Sequence, residues 1–337
     1  MSTLTSIGNA SSGSAPSDAG RDRALRLRGV TWLVWRQHRA AYWTLLIGGV
    51  VATAVIVYQR QGLVTYLEGY GYPGDLKEGW EHQAPTMALL RAVSVPLNYL
   101  PVLIGVFIGA PLLAADLENG TAKLVSTQST SRVRWLTTKL GVTALIVGVS
   151  TAAVAAAFTW WWSPAKSSNF FLHWADKEVF DNSGPMLTAL SLFTLFGGVA
   201  IGMLLRRMLL SMVVTMGFAV VVQVVWAYSR MSLANSVTIT TRDGMQSPQP
   251  EMPDAAYEVD TSYLTSSGDL LGQSTCQSLS EKATEACAAK KSIVGWSVEY
   301  IPVSQMASMQ WLGASILLAL TAAVAAFIVL RGRKRVV

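Results

Sequence analysis

The chain has 337 residues, of which 51% are hydrophobic and 14% charged, with 26 Lys and Arg against 20 Asp and Glu. An average soluble domain is roughly 25% charged, so this composition speaks against a large soluble enzyme. The net charge of +6 finds its explanation in loop charges at a membrane, and nucleic-acid binding is not needed for it.

Residues 1–20, rich in Ser, Ala and Gly, lack the apolar core of a signal peptide. They are expected to be a disordered cytoplasmic tail. Residues 21–228 follow as a membrane unit. Arg21 to Trp43 reads as an interfacial helix, with Leu27, Val30 and Val34 on one face and Arg21, Arg28 and Arg39 on the other. The alternative is a positive flank that only fixes topology.

Crossing a bilayer takes about 20 apolar residues in a helix. Six stretches meet or approach that length: Tyr42–Tyr58, Leu97–Ala115, Leu140–Trp162, Met186–Leu205, Met208–Tyr228 and Met309–Leu330. The fold expected is therefore all-α, a polytopic membrane protein of six helices. In the outer segment before the second span, "EGYGYPGD" marks turns, and Pro85 to Val95 reads as a short helix. Within the second span, Pro111 leaves the carbonyl of Phe107 without its helical donor, so a distortion is expected there. Gly105-x-x-x-Gly109 and Gly198-x-x-x-Gly202 permit close helix approach. Trp160, Trp161 and Trp162 end the third span, as an aromatic belt or as a stacking surface for a ligand. Arg206-Arg207 alone joins the fourth and fifth spans, which predicts a tight hairpin.

Residues 229–308 form the largest segment outside the spans. "SVTITTRD" alternates like a strand, and "LSEKATEACAAKK" reads as helix. Cys276 and Cys287, the two cysteines of the chain, both lie here. An oxidising outer face would let them form a disulfide; two free thiols are the alternative. Residues 309–337 supply the sixth span and a basic tail. With both termini cytoplasmic, the inner segments hold sixteen of the 26 basic residues and four of the 20 acids. That asymmetry orients a multi-pass protein of the cell membrane.

Several chemistries are missing. The spans as drawn hold no Asp, Glu, Lys, Arg or His, whereas proton relays and ion paths need such groups. His38, His82 and His173 show no metal-ligand spacing, and no phosphate-cradling Gly-rich loop occurs. No catalytic residue, metal site or cofactor of its own is therefore expected. The mild polar groups in the spans suit an apolar or amphipathic cargo, and the energy to move it must come from elsewhere.

The stretch "APLLAADLENGTAKLVSTQSTSRVRWLTTKLG" resembles the loop between the second and third spans of ABC-2 type permeases, in particular actinobacterial ones. It carries Glu118, Gly120-Thr121, Ser131-Arg132 and Lys139-Leu140 at the family's positions. "WRQHRAAYW" and "YIPVSQMASMQW" are similar to the family's approaches to its first and last spans. The resemblance implies a permease that dimerises, contacts lipid and a small-molecule substrate, and docks two separate ATP-binding-cassette subunits, which bring the ATP and Mg. It makes the first inner loop a coupling element, with Asp116, Glu118, Gly120, Thr121, Arg132 and Arg134 as its residues. Asp116 and Glu118 sit at a helix C-terminus, where negative charge is disfavoured by about 0.3–1 kcal/mol. Compensation is expected from Arg132 or Arg134, or from basic residues of a partner. After Asn119, Gly120 is expected to be left-handed. By the same resemblance the second and fifth spans face the substrate, through Asn98, Phe107, Met216, Val220 and Gln223. The rival functions are a sensor or immunity module that binds an envelope molecule through residues 229–308, and a non-transporting scaffold.

Overall fold

The computed structural model describes residues 29–74, 84–120, 131–166, 172–277 and 280–335. Among these, six helices are long and apolar enough to cross a membrane. In chain order they are Val30–Glu68, Arg91–Glu118, Val133–Ala165, Met186–Leu205, Met208–Leu233 and Val303–Lys334, called spans 1 to 6 below.

Span 1 begins as a 39-residue helix, about 58 Å long at 1.5 Å per residue. This is nearly twice the roughly 30 Å of a hydrocarbon core. It is broken at His38, whose φ of −112° and ψ of 15° are non-helical. The break divides residues 30–37 from the crossing portion. The proposed start of the interfacial helix, residues 21–28, lies outside the described residues.

Span 2 is built from pieces. A helix from Ala84 to Asn98 runs into a turn at Tyr99, then Leu100–Ile104, a π-turn over Gly105–Gly109, and Ala110–Glu118. The π-turn lies just ahead of Pro111, where the missing N–H calls for a wider winding. The hydroxyl of Thr194 donates to the carbonyl of Pro101 at 2.6 Å, giving this irregular backbone a partner from span 4. The two Gly-x-x-x-Gly pairs face one another. A Cβ on Gly198 would stand 2.5 Å from the carbonyl oxygen of Gly105, and one on Gly109 would stand 2.5 Å from that of Leu195. Only hydrogen side chains allow spans 2 and 4 to touch backbone to backbone.

Spans 4 and 5 form the expected hairpin. Arg206 takes a left-handed conformation (φ 56°) and Arg207 is extended, which reverses the chain within two residues. Trp161 and Trp162 are buried in the bundle, with the indole N–H of Trp162 donating to the carbonyl of Leu172 at 2.8 Å. The aromatic-belt expectation therefore holds for neither of them. Trp160 is half exposed and lies under the guanidinium of Arg60.

The bundle is all helix, but the segment between spans 5 and 6 is not. It holds four antiparallel strands, β1 (Val237–Thr240), β2 (Tyr257–Thr265), β3 (Leu270–Gly272) and β4 (Ile293–Ile301), in the order β1-β4-β2-β3. Only β1 was legible in advance. β2 is exposed over its first four residues and buried over its last five, and β4 is buried or half-buried throughout, so neither gives a clean alternation. A helix over Glu281–Lys290, capped by the Ser280 hydroxyl, is stapled to the preceding turn by the Cys276–Cys287 disulfide, with Cα atoms 5.6 Å apart. β4 leads through Pro302 into span 6, whose helix starts at Met306 rather than Met309.

Candidate functional site

At the end of the bundle remote from the sheet, span 2 finishes on Asp116 and Glu118. Asp116 is 7% exposed and Lys139 fully buried, and the two form an ion pair. The amide of Gln37, just before the break in span 1, donates to the other Asp116 oxygen at 2.8 Å. The Lys139 ammonium also lies 5.1 Å from the centre of the Trp135 ring. Behind it, Tyr42 shares a 2.8 Å hydrogen bond with the Thr143 hydroxyl, which donates to the Lys139 carbonyl. Spans 1, 2 and 3 are thus tied by one buried polar knot.

This knot corrects one expectation and adds a residue to another. Charge-free spans were drawn by stopping span 2 at Ala115 and starting span 3 at Leu140, yet the helices run further and bury a charge pair between them. Asp116 pairs with Lys139, a residue that the expectation of Arg132, Arg134 or a partner's basic residues did not include. Arg134 is exposed and forms no ion pair among the described residues, and the Arg132 side chain lies outside them. A carboxylate and an ammonium 23 residues apart on different helices leave no periodic signal, so the resemblance marked the position of Lys139 but nothing in the sequence paired it with Asp116.

Glu118 has a different partner again. Its carboxylate accepts the backbone N–H of Met208 at 2.7 Å, so it caps the open N-terminus of span 5 across the Arg206-Arg207 hairpin. This is a favourable place for negative charge. Gly120 has φ 70°, with no atom within 4 Å of the place a Cβ would take. Backbone conformation, not crowding, calls for glycine here. Thr121 and the loop up to residue 130 lie outside the described residues. Ser131 restarts the helix by accepting the N–H of Arg134 at 3.2 Å.

The five residues assigned to substrate contact do not form one surface. Gln223 is engaged in the fold: its amide donates to the Asn98 carbonyl at 2.8 Å, and its oxygen accepts from Lys177 at 3.1 Å. Asn98 is buried, and its side-chain oxygen has no hydrogen-bond partner among the described residues. Met216 and Val220 are half exposed on span 5. Phe107, also exposed, lines a cavity of about 560 Å³ between spans 1, 2 and 3. Leu45, Gly48 and Gly49 of span 1, Leu97, Leu103 and Ile104 of span 2, and Ser150 and Thr151 of span 3 also line it.

At the sheet end, a wedge over residues 172–184 joins the outer subdomain to the spans. Trp174 donates to the carbonyl of Ala255 at 2.6 Å, and His173 lies 3.2 Å from the same oxygen. Asp181 is 4% exposed and accepts the indole N–H of Trp226 in span 5 at 2.7 Å. Burial pushes its carboxyl up to about 6, against the lesser opposing effects of the Trp226 hydrogen bond, Arg230 and Lys177. Gln310 of span 6 donates to Phe180 and Ser183. Sequence reasoning passed over this wedge, although "HWADKEVFDNSGP" concentrates polar side chains beside two apolar spans.

The family described as ABC-2 membrane transporter related matches residues 45–230, more than half of the 337. The chain belongs to that family. No curated protein and no solved structure matches it. The matched ABC-2 region contains spans 2 to 4, most of spans 1 and 5, the Asp116–Lys139 pair and most of the cavity lining, and it stops before β1. It makes the chain a multi-pass transport subunit of the ABC type, a class that works with an ATPase. Among the described residues, no three His, Cys, Asp or Glu side chains gather as metal ligands.

Proposed function

We propose that the chain is the permease of an exporter that carries an amphipathic or hydrophobic small molecule out of the cell. Two copies pair in the plasma membrane with their termini in the cytoplasm. Each docks one separately encoded ATPase, and ATP and Mg²⁺ belong to those partners. The single observation that carries this reading is the junction around residues 116–120. Here a loop at the family's coupling position is linked through Asp116 to spans 1 and 3 and through Glu118 to span 5. A push on that loop by an ATPase reaches four spans at once, and the interhelical bonds give it discrete partners to exchange. The cavity and the exposed apolar flank of span 5 offer surfaces for an apolar cargo, with few polar groups to fix its orientation.

The test is co-purification of the chain with its ATPase in mild detergent, followed by ATPase activity and efflux. The expected result is a complex whose hydrolysis rises with the permease. Glu118→Ala should express, yet lose ATPase binding or efflux. Wild-type efflux and binding in that variant would reduce the loop to a topological flank, and failure to recover any ATPase would favour a scaffold. Orientation is read separately: a cysteine at Ser247, and not one at Ser126, should react with an impermeant thiol reagent on sealed cells.

One observation favours the sensor reading as a second. The outer sheet is continuous with span 6 through β4 and is bonded at Ala255 to the wedge that holds span 5. A ligand on the sheet therefore has a mechanical route to both spans. Deletion of the sheet would leave export intact and abolish ligand-dependent regulation if sensing were the role.

A further inference from the structure

The chain holds a single Asn-Gly pair, Asn119-Gly120, and it stands where span 2 ends. An asparagine followed by glycine can modify itself. The backbone nitrogen of the second residue attacks the side-chain amide carbon of the first. Glycine has no Cβ to shield that nitrogen, and its backbone turns freely. Whether the reaction runs depends on how firmly the fold holds the reacting groups. Asn119 is exposed. Neither its side chain nor the Gly120 N–H has a hydrogen-bond partner among the described residues. A Cβ at Gly120 would meet nothing within 4 Å, so the approach is open. Asn119 has ψ −2°, and ring closure requires its Cα–C bond to turn. Its one anchor, the bond from its own N–H to the Ala115 carbonyl at 3.0 Å, lies before that axis and does not resist the turn.

The other described asparagines are held. Asn98 is buried, and the N–H of Tyr99 after it donates to the Pro96 carbonyl at 3.2 Å. Asn182 is fully buried, and its amide donates to the carbonyls of Ser94 and Glu178, both at 2.8 Å. The N–H of Ser183, which would have to attack it, goes to the Val179 carbonyl at 3.1 Å. Asn235 is exposed, but Gln305 pins its N–H at 2.9 Å and its carbonyl at 2.7 Å, so its Cα–C bond cannot turn without breaking a bond.

We propose that Asn119-Gly120 is a site of spontaneous deamidation whose products loosen the inner end of span 2 from span 5. The Gly120 nitrogen loses its proton to solvent and bonds to Asn119 Cγ, closing an imide ring. The Cγ–Nδ2 bond breaks, and the side-chain nitrogen leaves as ammonia. Water then opens the ring. Attack at Cγ restores the main chain and leaves aspartate; attack at the backbone carbonyl carbon routes the main chain through Cγ and leaves isoaspartate. Both products add a carboxylate beside Asp116 and Glu118 at a helix C-terminus, where negative charge is disfavoured. The iso form also lengthens the main chain and redirects the left-handed exit at Gly120. The same last turn carries the Glu118 carboxylate that caps the Met208 N–H, so its loss uncaps span 5. The reaction needs water alone, neither an ATPase nor turnover, and it stands or falls apart from the export reading.

The test incubates the full chain in phospholipid vesicles at mildly alkaline pH and follows each asparagine by peptide mass spectrometry. A synthetic peptide of residues 114–126 serves as the unhindered clock. Residue 119 should change from amide to acid, chiefly as isoaspartate, at a rate within several-fold of the peptide's, while Asn182 and Asn235 stay intact. Asn119→Gln should abolish the change. Local opening is read by hydrogen exchange: the first turn of span 5 should exchange several-fold faster in the aged chain and in freshly made Asn119→Asp, and not in aged Asn119→Gln. An amide kept at residue 119 after the peptide has converted, or conversion of Asn235 at an equal rate, would overturn the site. Full conversion with unchanged exchange at the start of span 5 would overturn its effect on the junction.

Discussion

Spans 4 and 5 are neighbours in sequence, nearly equal in length and alike in apolarity, yet 67% of the apolar stretch of span 4 is buried and only 17% of that of span 5. The difference lies in side-chain size. Span 4 carries Gly198 and Gly202, which let span 2 close on its backbone, Thr194, which donates to the Pro101 carbonyl, and Gly197, which takes the Phe218 ring of span 5. Span 5 carries a flank of valines, among them Val213, Val220, Val221, Val224 and Val225, which stays open. Polar bonds near its ends and in its outer third hold span 5 instead: Glu118 at its first turn, Asn98 and Lys177 at Gln223, and Asp181 at Trp226. In a bilayer the apolar surface of a helix is no guide to burial, because lipid receives it as well as protein does. Shape and hydrogen bonds decide.

The largest expected effect breaks span 4. A side chain at Gly198 collides with the Gly105 carbonyl, the Ala110 nitrogen and Thr215, and backbone cannot yield as a side-chain tip can. Gly198→Val should cost about 3 kcal/mol or more, read as a loss of folded protein on detergent extraction and a lower unfolding midpoint. Wild-type yield and midpoint would show that spans 2 and 4 are not in backbone contact.

The next effect sharpens what holds the outer part of span 5. The Asp181 carboxyl is raised from 3.8 to about 6 in the folded protein. At low pH both folded and unfolded states carry the proton, and no penalty arises. As pH rises from about 4 to about 6 the unfolded state ionises first, so stability falls, and above about 6 the full cost applies. That cost is about 3 kcal/mol at 1.36 kcal/mol per pH unit. Asp181→Asn keeps an oxygen for Trp226 and should remove the penalty. The variant should match wild type near pH 4 and exceed it at pH 7.5 in thermal unfolding. A constant difference across that range would mean that Asp181 is solvated.

A smaller change is expected at the inner end. Glu118→Ala removes the acceptor at the first turn of span 5, a loss of about 1 kcal/mol by the usual worth of a helix cap. A surface residue without this bond would show within about 0.5 kcal/mol of no effect. Chemical denaturation of the purified variant separates the two values, and Glu118→Gln should recover part of the loss.

The smallest effect belongs to the open flank. Val221→Ala should change the stability of the single chain by less than about 0.5 kcal/mol. If the flank of span 5 is where two copies meet, the same substitution weakens pairing, seen as a shift in the monomer–dimer balance with concentration. A large loss of stability without a change of pairing would place span 5 inside the bundle.

Much of the architecture was legible because it is local. Uninterrupted apolar runs gave six spans, Pro111 announced the distortion that became the π-turn, and Arg206-Arg207 left room only for a hairpin. Gly120 after Asn119 predicted its own left-handed turn. The candidate site was legible only in part. Glu118 stood out as an acid at a helix end, but its partner is the backbone of a residue ninety positions later. Gln223 looked like a polar contact for substrate and is used to bind Asn98 and Lys177.

By itself, the sequence determined which segments can leave water, where the chain must turn and which helices can approach closely, since each follows from hydropathy, proline, glycine or charge within a few residues. The tertiary structure alone decided that Asp116 pairs with Lys139 under cover, that span 4 is central and span 5 peripheral, that the wedge at Asp181 grips Trp226, and that spans 1, 2 and 3 leave a chamber between them. These depend on which face of each helix meets another. A uniformly apolar helix in lipid carries almost no periodic signal to state that choice, so it is settled by the fit of small residues and by buried polar groups that must find partners far along the chain.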